Sequence, residues 1–517
     1  MPASGRRQLM ATRPTTRIAL SEEQFAALVE TLEATDETAA VVAATLVPAA
    51  TGALRAGPVT LLARVLTWVP EHAYLERHAL GLSIASTGWV PAFRAAIKDA
   101  CVPVFVHTHP RGEAAFSAHD DIVDASLAAA ARDLGAMAYA SLVVAGCSDA
   151  PAVIARLRLF DDLHTRPDQD GDGEVAAEFD TVDAVRVAGQ ALQLMPPIDD
   201  DEAADTATSD GDSGDAFDRQ VRILGRGGQR TLAAVNAAVI GAGGTGSAVA
   251  VQLARIGVGT ICLVDDDIVT APTPTRGHGM RVADVGRSKV AVLGSHLREI
   301  GLGTNVVEVN AALHAPEALQ ALQHVDVIFS CVDGHGARLI LNRYAYAHLA
   351  VVIDLAVLVT VTDDGAEIDE RVTWIGPTTA CLLCRGRLDP ALAYAENLDP
   401  DTRKQLAGEG YVEAAQTPQP AVVTLTTMVA ALGATEFLLR LAGIGSPSAT
   451  ELLLRPHVGE LRRNRIPQRP GCFCSDPKYL ARGQKQPYLD LMWPQPPLDP
   501  PDDDTSSGQP NGAEGEV

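Results

Sequence analysis

Positive charge is scarce in this chain: 41 Lys and Arg stand against 65 Asp and Glu, a formal net charge of −24. That balance excludes non-specific nucleic-acid binding and docking to anionic membranes. Much of the excess sits in short acidic runs, so it describes the folded surfaces less than its size suggests. Aromatic residues make up only 4% against 47% apolar, the composition of an ordinary globular protein. Cysteine is sparse too. Eight in 517 residues are no disulfide framework, and four of them form two tight pairs, Cys381/Cys384 and Cys472/Cys474. Such pairs suit a metal in a reducing cytosol. No uncharged apolar run is long enough to span a bilayer, so no membrane partner is expected. The first 17 residues hold four arginines and no apolar run, so no secretory signal is expected there. Their Arg/Ser/Thr bias weakly resembles a transit peptide, with a frayed tail the preferred reading. A cytoplasmic protein without internal repeats is expected.

What is present divides into blocks. At 517 residues the chain exceeds one core, and two or three domains are expected. A first block spans residues 17–197, after a disordered tail at 1–16. Ser21 before Glu22-Glu23 and an apolar repeat predicts a helix N-cap. Short strands are predicted near residues 102–106 and 141–144, with an Ala-rich helix between Asp120 and Leu134 and a loop at residues 166–174. Residues 198–218 hold nine acidic residues and almost no large apolar side chains, which predicts a linker. A second block spans residues 219–482 in alternating strands and helices, and a disordered Pro-rich tail closes the chain at 483–517.

The first block carries His107-Thr108-His109-Pro110, then Ser117 and Asp120. Two histidines one residue apart at a strand end project to the same side, and Asp120 enters from the start of the next helix. Three protein ligands and one open position is the arrangement of catalytic zinc. The spacing His-x-His-x7-Ser-x2-Asp resembles the JAB/MPN (JAMM) metallopeptidases. That resemblance implies His107, His109 and Asp120 as zinc ligands, Ser117 steadying an oxyanion, and an early glutamate as general base. Glu37 takes that role, with Glu33 and Glu30 as fallbacks. Residues 39–41 here are Ala-Ala-Val where the family often has small residues and glycine. Asp168-x-Asp170-x-Asp172-Gly173 imitates a calcium loop but closes on Phe179, so calcium is rejected.

In the second block, an apolar strand at residues 237–240 leads into Gly241-Ala242-Gly243-Gly244-Thr245-Gly246 and a helix at 247–256. Glycines let the backbone approach phosphates while the helix N-terminus faces their charge. Alone this means only some Rossmann-like fold. Arg219-Gln220, Gly225-x-x-Gly228, Asp265-Asp266-Asp267, Lys289, and Asp333 with Arg338 and Asn342 sharpen it. The series resembles the ThiF/MoeB/HesA-type adenylyltransferases shared with ubiquitin-activating enzymes. The resemblance implies that the glycines and Asp267 belong to the nucleotide site and that Asp265 binds the ribose. It further implies that Arg276 and Lys289 contact phosphates, that Asp333 holds Mg2+, and that Arg219 reaches into the partner of a homodimer. A dehydrogenase would explain neither Lys289, Asp333 nor the cysteine pairs. Cys381, Cys384, Cys472 and Cys474 correspond to a structural zinc site, although Cys-x-Cys is tighter than the usual second half.

Two departures stand out. Residues 272–277 read Pro-Thr-Pro-Thr-Arg-Gly, with Thr273 where the family places asparagine. From 385 to 480 the only cysteines are Cys472 and Cys474, so no thioester cysteine follows the first pair. Cys331 beside Asp333 is a weak nucleophile candidate, more simply a small strand-end residue. The expected architecture is therefore α/β twice over: a JAB/MPN metallohydrolase domain and a Rossmann-like ThiF-type adenylyltransferase domain. The leading expectation is a bifunctional enzyme of prokaryotic ubiquitin-like modifier metabolism, a zinc (iso)peptidase that also adenylates a C-terminal glycine with Mg-ATP. One alternative gives both activities a sulfur carrier or peptide in cofactor or natural-product synthesis. Another is a binding scaffold with degenerate sites.

Overall fold

The computed structural model describes residues 16–48, 58–79, 81–160, 179–196, 216–362, 365–398, 400–408, 420–445 and 448–483. The Asp168–Asp172 stretch, the acidic run up to residue 215, residues 1–15 and residues 484–517 lie outside them.

In chain order the first part forms β1 (Arg17–Ser21), α1 (Glu22–Glu30), β2 (Ala39–Val47), β3 (Thr60–Trp68), β4 (Tyr74–His78), β5 (Gly81–Ile84), α2 (Ser86–Lys98), β6 (Val102–Pro110), α3 (Ala118–Asp133), β7 (Ala138–Cys147), β8 (Ala150–Leu159), β9 (Asp180–Thr181), β10 (Ala184–Ala188) and β11 (Leu192–Met195). The second part forms α4 (Asp218–Ala234), β12 (Asn236–Ile240), α5 (Gly244–Ile256), β13 (Thr260–Val264), α6 (Lys289–Ile300), β14 (Asn305–Val309), α7 (Pro316–Ala321), β15 (Val327–Ser330), α8 (His335–Ala347), β16 (Val351–Thr362), β17 (Gly365–Ile375), α9 (Pro390–Glu396), α10 (Pro400–Gly408), α11 (Val423–Leu441), β18 (Glu451–Arg455) and β19 (Glu460–Asn464).

Nine strands of the first part make one mixed sheet, in the order β11-β10-β1-β3-β2-β6-β7-β8-β9. Strand β1 runs parallel to β10 and β3, and β6 runs parallel to β7. The expected cap of α1 is present: Ser21 accepts from the Gln24 backbone while the Gln24 side chain accepts from Ser21. One apolar layer, with Leu20, Leu61, Val104 and Leu142, covers one face. A second, with Phe93, Phe105 and Tyr139, lies beneath α2 and α3. The β4–β5 hairpin stands apart as its own two-stranded sheet.

The second sheet has the order β14-β13-β12-β15-β16-β17-β18-β19, parallel as far as β16 and antiparallel beyond. Its parallel half is the Rossmann 3-2-1-4-5 arrangement, whose ligand crevice opens at the C-terminal ends of the strands where the order reverses. Here the reversal falls between β12 and β15. Both faces are covered, so β12 buries Ala237 and Val239 in one layer and Ala238 and Ile240 in the other. That double burial is why parallel strands read as unbroken apolar runs. Helix α11 is long and apolar enough to cross a membrane by length and composition, although it carries Glu436 and Arg440 and so is not an uncharged run. Here Val429, Ala430 and Phe437 on that helix pack into the core with β16 residues such as Ile353 and Leu355.

The two sheets meet over buried contacts that sequence reasoning did not single out. Leu192 and Leu194 of β11 join the apolar layer of the second sheet. Arg17 donates to the carbonyl of Ala234, and Arg186 to those of Val325 and His348. Both guanidiniums, 1% exposed, lie 3.4–3.5 Å from the fully buried Asp326. Trp374 Nε1 donates to the Gly189 carbonyl across the same seam.

Candidate functional site

The first pocket has a volume of about 330 Å³ and is lined by Glu37, Phe105, His107, His109, Phe116, Ser117, His119 and Asp120 among others. Near the end of strand β6 the alternation His107-Thr108-His109 puts both imidazoles on one face, and their Nε2 atoms converge, 3.1 Å apart. Asp120 Oδ1 lies 3.2 Å from His107 Nε2. Tetrahedral zinc with bonds of about 2.0 Å spaces its nitrogen and oxygen ligands roughly 3.3 Å apart. The His109 Nδ1 atom is 3.1 Å from the Glu113 carbonyl. That bond places the proton on Nδ1 and leaves the Nε2 lone pair facing its neighbour, an arrangement a cation relieves. The donor set therefore fits zinc.

Ser117 caps α3. Its hydroxyl accepts from the Asp120 backbone and donates to Asp120 Oδ2 at 2.7 Å, while its own N–H donates to the same oxygen. In this arrangement Ser117 aims the carboxylate whose other oxygen meets His107, rather than presenting a free hydroxyl to the pocket. The Asp120 carboxyl stays well below its ordinary range. Burial pushes it up, and hydrogen bonding and charge from His107, with Ser117, outweigh that.

Of the three candidate bases, the structure brings one to the cluster. Glu37 is buried with Oε1 3.8 Å from His109 Nε2, whereas Glu30 and Glu33 are exposed on the surface. Burial pushes the Glu37 carboxyl up to about 7, against the opposing pull of His107. Arg77 of β4 and Thr108 grip the segment beside it: Arg77 Nε donates to the Glu37 carbonyl at 2.7 Å, and Thr108 Oγ1 accepts from the Thr38 N–H at 3.0 Å.

The second pocket, about 500 Å³, sits at the strand-order reversal and gathers Gly241, Gly243, Gly244, Asp265, Asp267, Arg276, Lys289 and Asp333. Gly241 has φ +90°, and a Cβ there would lie 2.7 Å from the Cys331 carbonyl. Gly246 does not line the pocket; a Cβ there would meet the Gly241 carbonyl at 1.8 Å, so it permits the tight strand–helix turn. Asp265 accepts from the backbone N–H groups of Ala242 and Asp267, fixing the loop. Burial raises its carboxyl despite Lys289 nearby. Lys289 Nζ lies 2.6 Å from Asp267 and 3.7 Å from Asp265.

Thr273 is buried and bonded to Thr270, turned into its own loop, while Arg276 of the same departing stretch remains at the pocket. Arg219 is exposed on α4 and lines no part of this pocket. Cys331 is at the wall, but burial first, and Asp354 second, push its thiol up, which is unlike an activated nucleophile.

Sequence reasoning missed Asp354. It is fully buried on β16, bonded to Ser330, Arg338 and Arg371. The signal available was an acid inside the apolar run 350–361. Burial works against its charge, and Arg338 then Arg371 hold the carboxyl low nonetheless. Arg338, thus fixed, lines the pocket.

The four thiols meet as a third cluster. Cys381 and Cys472 are 3.6 Å apart at Sγ, as are Cys384 and Cys474, and all four lie within 4.8 Å of one another. Metal–sulfur bonds of about 2.3 Å space tetrahedral sulfurs roughly 3.8 Å apart, so Cys-x-Cys closes the site as well as Cys-x-x-Cys. The backbone N–H groups of Cys384 and Arg469 point at Cys381 and Cys384 sulfurs.

A doubly covered Rossmann-like sheet with a glycine loop, cations and acids at its switch point defines a nucleotide-binding α/β domain. Residues 217–474 match the ThiF family model, and the C-terminal part of the chain is a ThiF-family adenylyltransferase domain. The adenylyltransferase and sulfurtransferase UBA4 of Meyerozyma guilliermondii is 31% identical over 96 residues, 18% of this chain. The chain thus spans only 23% of that relative's length. Among solved structures, E. coli MccB with ATP shares 18% identity at TM-score 0.39, covering 50% of this chain and 74% of MccB. PaaA shares 18% at TM-score 0.37, covering 51% and 86%.

Proposed function

We propose that the chain joins an adenylyltransferase, residues 219–482, to a metal-dependent hydrolase, residues 17–197, through the acidic stretch 198–218. The hydrolase cleaves the amide bond that follows the C-terminal residue of a sulfur-carrier protein or peptide, and the adenylyltransferase activates the carboxylate so freed. The observation that carries the adenylation reading is the convergence of the glycine loop with Arg276, Lys289 and Asp333 in one pocket. A carboxylate oxygen of the substrate attacks the α-phosphorus of ATP. The new P–O bond forms as the α–β anhydride breaks, and pyrophosphate leaves. Arg276 and Lys289 hold the phosphates, and the backbone at the start of α5 faces them. Asp333 would hold a magnesium ion that neutralises charge on the leaving pyrophosphate.

The product is the acyl-adenylate. With no cysteine from 385 to 471 and the Cys331 thiol pushed up by its surroundings, transfer goes directly to sulfide or an amine. The name of the UBA4 relative, which pairs adenylyl with sulfur transfer, supports this reading.

The family match begins at residue 217, so the hydrolase reading rests on His107, His109, Asp120 and Glu37. Zinc held there would supply Lewis acidity to an amide carbonyl. Glu37 is placed to accept a proton from attacking water, and a carboxyl near 7 suits a base at neutral pH. The four-thiol cluster would hold a structural zinc. An isopeptidase releasing a conjugated ubiquitin-like modifier is the second reading, supported by the pocket of about 330 Å³ beside His107, His109 and Asp120. Arg219, exposed, is available to a second copy in the homodimer we propose. We place the protein in the cytoplasm, where free thiolates persist.

The test is pyrophosphate exchange with full-length protein, Mg-ATP and Gly-ending carriers or peptides. ATP binding without exchange on any of them would sink the carboxyl-terminus reading. Cleavage of a C-terminally extended carrier, lost in Glu37→Gln, tests the hydrolase. Genome neighbours decide between carriers and modifiers.

A further inference from the structure

Alongside the histidine–aspartate cluster, Phe116 and Asp124 of the same pocket lining belong to a second set of side chains, centred on Arg156. Arg156 on β8 is 12% exposed and reaches across β7 to the first turns of α3. Its Nη1 donates to Asp121 Oδ1 at 2.5 Å and its Nε to Asp124 Oδ2 at 2.8 Å. Asp124 is 2% exposed and accepts a second bond, at Oδ1, from the buried Tyr139 hydroxyl, 2.5 Å. The guanidinium also lies over two rings: its carbon is 3.8 Å from the Phe116 ring centroid and 4.7 Å from that of Phe179.

These contacts fall on both sides of one residue. Phe116 immediately precedes Ser117, the cap of α3, and Asp121 and Asp124 follow Asp120 by one and four positions. A single guanidinium therefore fixes the loop entering the helix and the helix's first turns. Between those points stands the carboxylate that must meet His107 within ligand distance. The rim location of Asp121 gives its ion pair little weight by itself. The weight falls on Asp124, a buried carboxylate that loses its countercharge when Arg156 goes. Lysine cannot substitute fully, because it lacks the planar fork and the stacking surface.

We propose that Arg156 is a positioning residue for the metal cluster, holding the start of α3 so that Asp120 lies in register with His107 and His109. This rests on reading those three residues as a metal site. Partners outside the ligand set commonly change metal affinity by about 10–100-fold, and Arg156 is expected to fall in that range.

The test titrates zinc into metal-free full-length protein against a competing chelator, with His107→Ala as the reference for the thiolate cluster alone. Thermal unfolding is measured on each sample. Arg156→Met should bind the histidine-site zinc about 10–100-fold more weakly, with Arg156→Lys intermediate and the melting of the second sheet unchanged. Wild-type zinc affinity in Arg156→Met overturns the proposal. If Arg156→Met does not fold, Arg156→Lys decides, and unaltered affinity there overturns it equally. If wild type and His107→Ala take up the same zinc, the metal reading itself fails, an outcome separable from failure of Arg156 alone.

Discussion

The Nε2 atoms of His107 and His109 face each other at 3.1 Å, closer than two unprotonated imidazole nitrogens settle without a proton or cation between them. With Asp120 Oδ1 3.2 Å from His107, the site is built for a positive charge. Replacing His107 or His109 with alanine should lower the zinc content from about two ions per chain to about one, the remainder held by the thiols. Elemental analysis of the dialysed proteins reads this directly, and unchanged content would refute a histidine site.

Glu37 is the sole member of the candidate bases beside the cluster, and its amide analogue cannot take a proton. Glu37→Gln should retain zinc while losing roughly 10²–10⁴-fold in peptide hydrolysis. A variant that cleaves at the wild-type rate would return the role to another group.

The thiol cluster should act on the fold rather than the chemistry. Cys384→Ser or prolonged chelation should lower the melting temperature by several degrees, because binding free energy at a structural zinc is folding free energy. Differential scanning calorimetry with and without chelator is the check. An identical melt would mean four packed thiols without metal.

Asp333 and Lys289 line the nucleotide pocket without packing the core. Asp333→Asn and Lys289→Ala should each lower pyrophosphate exchange by about 10²-fold or more while the protein stays folded, the scale for removing one charge-stabilising group. Circular dichroism and the exchange rate are read together. Loss of exchange with loss of fold would assign those residues a structural role instead.

Acid should weaken the seam between the sheets. Burial, with Arg186 nearby, holds His348 neutral down to about 3, and burial does the same for His324 down to about 4. An unfolded histidine titrates near 6.5. Below that value the unfolded chain takes up protons the folded one refuses, so stability falls from about pH 6.5 toward 4. Chemical denaturation across that range should show the slope, and His348→Phe, which keeps the stack on Tyr344, should reduce it. An equal slope in both proteins would dismiss His348 as its source.

Much of the candidate chemistry was legible because it depends on local spacing. A strand places alternate side chains on one face, so His107 and His109 had to converge, and a helix start after Ser117 had to present Asp120 nearby. Glycines before an apolar helix and an acid after the next strand mark the phosphate loop in the same way. The choice of Glu37 over Glu30 and Glu33 was not local. It follows from β2 pairing with β6, which sets Ala39 opposite His107. Asp354 escaped notice because its partners Arg338 and Arg371 come from a helix and a neighbouring strand. Arg17 and Arg186 carried no sequence signal of their own, and the packing of one sheet against the other buried them on Asp326.

The sequence by itself determined two α/β units, their chemical motifs and the missing thioester cysteine, since each is written in short-range periodicity and residue identity. Only the tertiary structure decided which carboxylate stands beside the histidines, that Cys-x-Cys closes a four-sulfur cluster, and which charges serve packing. Those outcomes depend on strand register and on burial, where a charge persists only if its partner arrives from elsewhere in the chain.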